Sequence, residues 1–258
     1  MYIIAVANQK GGVGKTTTSV NLAASLAVIK RRVLMIDMDP QGNATTGVGL
    51  DKHDSPVLLS DVLLGQASIK EAIQTISNST IHGLAGGPDL SIAEFEMMRM
   101  DEREYRLKKV LTEVKNDYDY IVIDCPPSLN MLTVNALVAA NGVLIPMQCE
   151  YYALEGLSAL VGSIKTIRDS SNPSIEIIGL LRTMYDPRNN LSRDVSNQLS
   201  QHFKDTLYNT SIPRNIRLAE APSHGVPVLM YDKRSSGALA YLALAAEVIR
   251  KESARKAA

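Results

Sequence analysis

The sequence has few of the features that mark secreted or membrane proteins. Of its 258 residues only two are cysteines, Cys125 and Cys149, which are too few for a disulfide framework and favour a reducing compartment. The apolar runs end well short of the roughly 18 residues that a membrane span needs. The first residues form a strand-like run, without the basic region and apolar core of a secretory signal. We therefore expect a cytoplasmic protein that is not inserted in a membrane.

Net charge is also lacking, because 27 basic residues balance 27 acidic residues. The bulk charge therefore does not point to a nucleic-acid partner, and DNA binding would need a local patch that only some states of the protein complete. We find no internal repeat, low-complexity segment or long linker in the sequence. With 45% hydrophobic residues, a chain of this length is predicted to form one substantial domain over residues 1–258.

Short apolar runs rich in β-branched residues alternate with stretches of helical spacing. The runs cover residues 3–7, 33–36, 120–123, 143–146 and 175–181. They are nearly continuous, which is typical of strands buried on both faces of a parallel sheet. We predict an α/β fold with a doubly wound, mostly parallel sheet flanked by helices, and ligands beyond the carboxyl ends of its strands. Residues 51–101 are hard to interpret, and residues 81–84 are compatible with a strand or a loop.

A glycine-rich loop follows the first predicted strand and opens the first helix, with the sequence Asn-Gln-Lys-Gly-Gly-Val-Gly-Lys-Thr-Thr over residues 8–17. Its glycines allow backbone N–H groups to turn inward around phosphate oxygens, and the helix N-terminus adds unpaired donors. Lys15 is placed to contact the β- and γ-phosphates of a nucleotide, and the Thr16 hydroxyl to ligate Mg²⁺. The alternative, a glycine-rich turn without a ligand, does not explain a Lys-Thr pair at this place. The predicted ATP-binding residues of the loop are Lys10, Gly11, Gly12, Val13, Gly14, Lys15, Thr16 and Thr17.

The loop departs from the common pattern G-x-x-x-x-G-K-[ST], because Gln9 holds the place of the first glycine and Lys10 adds a second lysine. In this form it resembles the deviant Walker A signature Lys-Gly-Gly-x-Gly-Lys-Thr-Thr of the ParA/MinD superfamily. The resemblance implies an ATP hydrolase that dimerises face to face around two ATP molecules, with Lys10 crossing to the phosphates held by the other subunit. A cation supplied in trans to developing negative charge follows the logic of an arginine finger. Taken alone, Lys10 would be a solvated loop lysine.

Two aspartates follow the second predicted strand, in the motif Asp37-x-Asp39-Pro-Gln. Alternation along the chain predicts that Asp37 and Asp39 project to the same side. The resemblance ties the second aspartate of this motif to hydrolysis, which gives Asp39 a catalytic role together with the two lysines of the loop. Asp37 then becomes a partner of Lys15 and Thr16 that supports the outer ligand shell of Mg²⁺. In isolation, an Asp-x-Asp-Pro sequence is commonly a turn.

The apolar run over residues 120–123 ends in Asp124, the arrangement of a Walker B motif. Asp124 is expected to hold Mg²⁺ through a water molecule, because Mg²⁺ keeps much of its hydration. Pro126 and Pro127 force the chain out of the strand and stiffen a loop that can sense the γ-phosphate. The related proteins have glycine where this chain has Asn130, so we expect altered flexibility of this loop. Any strand can end in aspartate, and the motif takes its meaning from the other two loops.

The resemblance extends beyond these loops and narrows to the short, Soj-like ParA proteins. Residues 212–225 are similar to a stretch in which a proline and an asparagine line the adenine pocket, and these fall on Pro213 and Asn215. An asparagine can contact a base edge through both a donor and an acceptor. Arg188 and Arg217 match positions that hold DNA through its phosphates, which carry no sequence information. From residue types alone, we would interpret these positions as an ordinary turn and as solvated charges.

The implied function is that of a partition ATPase with ATP and Mg²⁺ as cofactors. Its expected partners are a second copy of itself, non-specific DNA and a ParB-type centromere-binding protein that stimulates hydrolysis, and its expected location is the nucleoid. One alternative is a MinD-like factor on the membrane surface, although residues 251–258 lack the alternating basic and bulky apolar residues of a membrane-surface helix. Another is a ParA-like positioner of a non-DNA cargo. A biosynthetic or electron-transfer enzyme of the superfamily would need a second substrate pocket or cluster cysteines.

Overall fold

A single sheet organises the computed structural model, which describes residues 1–52, 56–77, 79–151 and 153–257. Its strands are β1 (Tyr2–Val6), β2 (Val33–Asp37), β3 (Gln74–Thr75), β4 (Ile81–Leu84), β5 (Tyr120–Asp124), β6 (Gly142–Gln148), β7 (Glu176–Tyr185) and β8 (Leu207–Pro213). The strand order is β3-β4-β2-β5-β1-β6-β7-β8, and the pairs are parallel except for the antiparallel pair β3–β4. The predicted doubly wound, mostly parallel sheet is therefore confirmed.

Helices cover both faces of this sheet. They are α1 (Lys15–Val28), α2 (Asn43–Gly47), α3 (Leu59–Leu64), α4 (Ile69–Ala72), α5 (Asp89–Met97), α6 (Arg106–Val110), α7 (Met131–Ala139), α8 (Ala153–Ser170), α9 (Asn190–His202), α10 (Ile216–Glu220), α11 (Val228–Tyr231) and α12 (Ser236–Ala257). Short 3₁₀ segments lie at Arg103–Tyr105, Leu111–Val114 and Ala221–His224. Within the part of the chain that the structure describes, no helix combines the length and apolar character that crossing a bilayer requires.

The hydrophobic core has two layers, one on each face of the sheet. In β1, Ile3 and Ala5 pack into one layer while Ile4 and Val6 pack into the other, as the alternation of a strand requires. Residues of α3, α5, α7 and α8 complete the first layer, and residues of α1 and α12 complete the second. Because both faces are covered, the strands show the nearly continuous apolar runs seen in the sequence.

Two strands were not predicted from the sequence, and one ambiguous segment is settled. Residues Ile81–Leu84 form β4, beside β2. The missed strands are the two-residue β3 and the longer β8. In β8, Tyr208 and Ile212 are buried and the residues around them are exposed or half-buried. Strand β8 is covered by α12, whose Glu247 accepts hydrogen bonds from two β8 amides at 2.8 and 3.0 Å. Because polar contacts help to hold β8, its sequence lacks the nearly continuous apolar run by which the other strands were predicted.

The carboxyl ends of β1, β2 and β5 lie side by side. Asp124 at the end of β5 is in register with Val6 of β1 on one side and with Asp37 of β2 on the other. The glycine-rich loop and both aspartate loops therefore emerge at the same edge of the sheet. Folds of this kind bind ligands at that edge.

Candidate nucleotide-binding site

The glycine-rich loop uses backbone conformations that favour glycine. Gly12 and Gly14 have φ angles of 72° and 84°, in the left-handed region where a side chain is strained. Gly14 is the N-cap of α1, and its carbonyl accepts a hydrogen bond from Thr18 N at 2.9 Å. A Cβ atom at Gly11 or Gly12 would meet no atom of the described residues within 4 Å, so the loop borders open space. The N-terminus of a long helix thus faces a space that suits an anion.

Two side chains from neighbouring strands hold the carbonyls of this loop. Gln148 Nε2 donates to Gly12 O at 3.0 Å, and Thr183 Oγ1 donates to Val13 O at 2.8 Å. Gln148 and Thr183 are paired in the register of β6 and β7, so they reach consecutive carbonyls from one place. In a planar trans peptide the N–H points away from the carbonyl, so bonds that fix these two carbonyls also fix the direction of the amides that follow them. The sequence interpretation missed both residues.

The two lysines of the loop are placed differently. Lys15 is 7% exposed, and its Nζ donates to the Lys10 carbonyl at 3.1 Å. Burial lowers the pKa of Lys15, and the nearby Asp124 carboxylate opposes that shift. The Lys10 side chain is 44% exposed, and its Nζ lies 2.5 Å from Glu150 Oε2. The structure therefore separates a buried lysine inside the loop from an exposed lysine at its start.

Asp124 is the buried acid at the centre of the site. Its Oδ2 accepts from Thr16 Oγ1 and its Oδ1 from Ser19 Oγ, both at 2.8 Å. Burial raises the pKa of Asp124, the Asp37 carboxylate raises it further, and the hydrogen bonds from Thr16 and Ser19 oppose both effects. Thr16 and Asp124 were both predicted to serve Mg²⁺, and the structure brings their side chains together. Ser19 was missed, although its position one helical turn beyond Lys15 would have suggested it.

Asp37 corrects part of the sequence interpretation. We expected its carboxylate to contact Lys15 and Thr16, but its Oδ2 accepts from both Thr45 N and Thr45 Oγ1 at 2.8 Å. Its Oδ1 accepts from Asp39 N at 3.1 Å. The reason is geometric, because Asp124 in register on β5 already occupies the place next to Thr16. Burial is the main cause of the raised pKa of Asp37.

Two adjoining cavities extend from the glycine-rich loop. The first, of about 390 Å³, is lined by Gly11, Gly12, Gly14, Lys15, Thr16, Thr17, Asp39, Gln41, Asn43, Pro127 and Met184. The second, of about 200 Å³, shares Gly14, Thr17 and Met184 with the first and adds Thr183, Ile212, Pro213, Arg214, Asn215, Leu218, Ala219 and Tyr241. Glycines and one lysine suit phosphates in the first, and apolar walls suit a planar base in the second.

Pro213 and Asn215 both line the second cavity, as predicted for an adenine pocket. The Asn215 side chain is largely committed to other bonds. Its Oδ1 accepts from Arg217 N at 3.0 Å and Leu218 N at 3.3 Å, which caps α10, and its Nδ2 donates to Ser236 Oγ at 2.8 Å. We expected Asn215 to offer the base both a donor and an acceptor. This expectation is corrected, because the amide oxygen already accepts the two backbone N–H groups at the start of α10. One N–H of the amide remains to reach a base edge.

Arg188 and Arg217, the predicted DNA contacts, are both on the surface. The Arg188 side chain is 89% exposed and forms two hydrogen bonds with Asp186, at 3.0 and 2.9 Å. That guanidinium lowers the pKa of Asp186 to about 2. Arg217 pairs with Glu220 at 2.8 Å and with Asp232 at 3.5 Å. Each arginine is thus accessible but partly neutralised, so DNA phosphates would compete with acids of the same chain.

Comparison with known proteins identifies the family. A family model described as an AAA domain matches residues 1–177. The chain is 51% identical to the sporulation initiation inhibitor protein Soj of Bacillus subtilis (strain 168), over 95% of this chain and 97% of that one. It is 48% identical to the chromosome partitioning protein ParA of Caulobacter vibrioides (strain NA1000 / CB15N), over 100% and 97%. The chain belongs to the ParA/Soj family of partition ATPases.

A solved structure supports the cofactors of this ParA/Soj family member. The crystal structure of cobyrinic acid a,c-diamide synthase from Mycobacterium smegmatis with bound ATP analog and magnesium has a TM-score of 0.86 and 36% identity, covering 98% of this chain and 96% of that one. The chain hydrolyses ATP and uses ATP and Mg²⁺. Its own residues fit both, because Mg²⁺ prefers oxygen ligands and Thr16, Asp39 and Asp124 supply a hydroxyl and two carboxylates beside the glycine-lined cavity.

Proposed function

We propose that this partition ATPase works as a nucleotide-gated dimer switch on DNA. In the ATP-bound state two copies join face to face and bind DNA without sequence preference. Hydrolysis, stimulated by a ParB-type partner, then releases the DNA. The observation that supports this proposal most directly is the unequal placement of the two lysines, with Lys15 buried in its own cavity and Lys10 exposed outside it. In this proposal the exposed lysine at the start of the loop acts on the nucleotide of a second copy.

The nucleotide and its Mg²⁺ are held by different parts of the chain in this proposal. Bound Mg²⁺ supplies electrostatic stabilisation of the charge that develops on the phosphates. Thr16 would ligate it, Asp124 would hold it through water, and Asp37 would support that outer shell through the residues it orients. Pro213 would pack against the adenine, and the remaining N–H of Asn215 would donate to its edge.

Catalysis is assigned to three side chains. Lys15 neutralises charge on the chain's own triphosphate, and the backbone amides of the loop, from Gly11 and Gly12 to Thr17, add further donors. Lys10 supplies a second cation in trans. Asp39 lines the phosphate cavity and is the acid best placed to orient the attacking water. The products are ADP and phosphate.

Arg188 and Arg217 are proposed to contact DNA phosphates. The chain has no net charge, so a single copy attracts DNA weakly. A dimer presents each arginine twice, which makes DNA binding depend on ATP. Binding through phosphates alone explains why no sequence preference is expected. The protein would then act in the cytoplasm, on the nucleoid.

Sedimentation velocity tests the switch. The wild-type chain is compared without nucleotide, with Mg·ADP and with Mg·ATP, alongside the Asp39→Ala variant, which is expected to retain ATP without hydrolysing it. We expect a dimer only with Mg·ATP, more persistent in the variant, and retention of unrelated duplex DNA by the dimer alone. A chain that stays monomeric at saturating Mg·ATP would overturn the proposal. A dimer that ignores DNA at low salt would overturn its DNA part.

A further inference from the structure

Helix α5 begins on the first aspartate loop of the nucleotide site. Just before the helix, Gly86 N donates to Thr45 Oγ1 at 2.9 Å, and Thr45 Oγ1 donates to Asp37 Oδ2 at 2.8 Å. The approach is tight, because a Cβ atom at Gly86 would lie 2.3 Å from the Asp37 carbonyl oxygen. The segment just before α5 therefore packs against Asp37, whose carboxylate accepts a hydrogen bond from the Asp39 amide.

The same helix holds the loop that follows the second aspartate. Glu94 Oε1 accepts from Met131 N at 2.9 Å, and Glu94 Oε2 accepts from Asn130 Nδ2 at 3.1 Å. A carboxylate at the N-terminus of α7 is favoured by the dipole of that helix. Asn130 also caps α7, since its Oδ1 accepts from Thr133 N at 3.0 Å. The cap fixes the orientation of the Asn130 amide, so its N–H must face Glu94.

The loop held by Glu94 forms part of the phosphate cavity. Pro127 lines that cavity and lies three residues after Asp124 and three residues before Asn130. Ser128 is tied back to α7, because its carbonyl accepts from Thr133 Oγ1 at 2.6 Å. Asp124 itself is held inside the sheet. A loop this short, anchored at both ends, passes a displacement of Asn130 directly to Pro127.

We propose that Glu94 is a positioning residue for ATP hydrolysis. Glu94 fixes the start of α7 and so keeps Pro127 beside the phosphates. Helix α5, which carries Glu94, also connects the loop of Pro127 to Asp37 and Asp39. Glu94 acts through the side chain of Asn130, which both caps α7 and donates to the carboxylate. The proposal rests on ATP hydrolysis and does not depend on DNA binding. Because Lys10 is proposed to act in trans, the dimer fraction of each variant is measured separately.

The bond between Glu94 and Asn130 can be reversed in polarity, which gives a sharp test. In Glu94→Gln the side chain keeps one acceptor oxygen for the two donors, Met131 N and Asn130 Nδ2, so one of the two bonds is lost in either orientation of the amide. Adding Asn130→Asp supplies a carboxylate that accepts from the amide introduced at position 94, while aspartate remains a good cap for α7. Glu96→Gln is the matched control, because Glu96 is an exposed residue of the same helix.

Steady-state phosphate release without DNA or partner measures the effect. We expect E94Q to lower kcat roughly tenfold, with KM changed less than about twofold, because a displaced loop misplaces the groups around the phosphates. E96Q should retain the wild-type kcat, and E94Q combined with N130D should recover most of the loss. A purely structural role for Glu94 would move the unfolding temperature but would not produce this split between kcat and KM.

Two outcomes overturn the proposal: a wild-type kcat in E94Q, or a loss in E94Q that N130D does not recover. If E94Q fails to fold, Asn130→Asp alone gives the same test, because aspartate remains a good cap for α7 but cannot donate to Glu94. N130D is then expected to lower kcat at unchanged KM, and a wild-type kcat in N130D would refute the proposal. Sedimentation of the same variants separates this result from the dimer switch, since E94Q should dimerise as the wild type does.

Discussion

Lys10 Nζ lies 2.5 Å from Glu150 Oε2 of the same chain, so the lysine proposed to act in trans is paired with an acid of its own subunit. The two side chains are 44% and 49% exposed, and water weakens the attraction between them. In a dimer the phosphates of the partner would compete with Glu150 for Lys10. In the proposed switch, the ion pair would therefore oppose dimerisation slightly until a triphosphate is available.

Removing this acid should favour the dimer. We expect Glu150→Gln to lower the dimerisation Kd in Mg·ATP about two- to fivefold, the range that an exposed ion pair supports. Sedimentation equilibrium measures the Kd, and Glu155→Gln, the same change at an exposed residue in the first turn of α8, is the control. A Kd that is unchanged or higher in E150Q would show that Glu150 does not compete for Lys10.

Removing the lysine should separate nucleotide binding from dimerisation. Lys10→Ala leaves Lys15 and the glycines intact, so ATP affinity measured by calorimetry should remain within about twofold of wild type, since an exposed side chain contributes little to its own site. The variant should stay monomeric in sedimentation with Mg·ATP. Lys30→Ala, at an exposed lysine just after α1, is the control. Equal dimer fractions for K10A and wild type would rule out the trans lysine.

Charge reversal at the two arginines should weaken DNA binding without affecting the dimer. Arg188→Glu or Arg217→Glu removes a phosphate contact from each subunit, so affinity at moderate salt should fall about tenfold or more, and the slope of log K against log salt should become shallower by about 2. Fluorescence anisotropy across a salt series gives both quantities. Arg31→Glu, at an exposed residue before β2 and away from the loops, is the control. An unchanged slope in R188E and R217E would exclude the proposed patch.

The hydroxyl of Thr183 should matter for nucleotide affinity. Thr183→Val keeps the shape but leaves the buried Val13 carbonyl without its donor, which frees the loop to turn its amides away from the phosphates. We expect the Kd for ATP to rise about five- to tenfold. Thr183→Ser keeps the hydroxyl and should restore affinity, whereas equal affinities for T183V and T183S would mean that the hydroxyl does not hold the loop.

The parts of the site that could be predicted are those whose residue types are tied to a chemistry. A glycine loop ending in Lys15 and Thr16 predicts phosphate binding wherever it follows a strand. Asp124 follows an apolar run that can be recognised as a strand from the sequence. What could not be predicted are partners from distant segments. Gln148 and Thr183 brace the loop from other strands, and no local pattern indicates which carbonyl a side chain will reach.

The secondary structure of residues 51–101 was hard to predict from the sequence for a different reason. Two of their helices, α3 and α4, have only six and four residues, which is too short to show a helical period. A usable signal was the capping box of Ser68 and Glu71, which marks the start of α4. Nor does methionine content separate core from surface, since Met97 is fully buried and the adjacent Met98 is 49% exposed. The most informative residue of the segment is Gly86, whose role appears only in three dimensions.

Even the substitution of Gly86 by alanine, the smallest possible change, should destabilise the protein. Its φ is not in the left-handed region, so the constraint is contact rather than backbone strain, with a Cβ atom placed 2.3 Å from Asp37 O and 3.0 Å from Asp37 Cγ. Gly86→Ala must displace either β2 or the entry to α5, and we expect the free energy of unfolding to fall by about 2 kcal/mol. The Asp37 contacts move with it, so hydrolysis should slow as well.

The same substitution at Gly162 is the control, and its expected effect on the free energy of unfolding has the opposite sign. Gly162 is exposed within α8, and a Cβ atom there would meet no described atom within 4 Å. Gly162→Ala should therefore stabilise the protein by about 0.5–1 kcal/mol, because alanine loses less conformational freedom in a helix. Urea unfolding of both variants measures the difference. If G86A were as stable as the wild type, β2 and α5 could separate at little cost, and a rigid connection between the two aspartate loops could not be maintained.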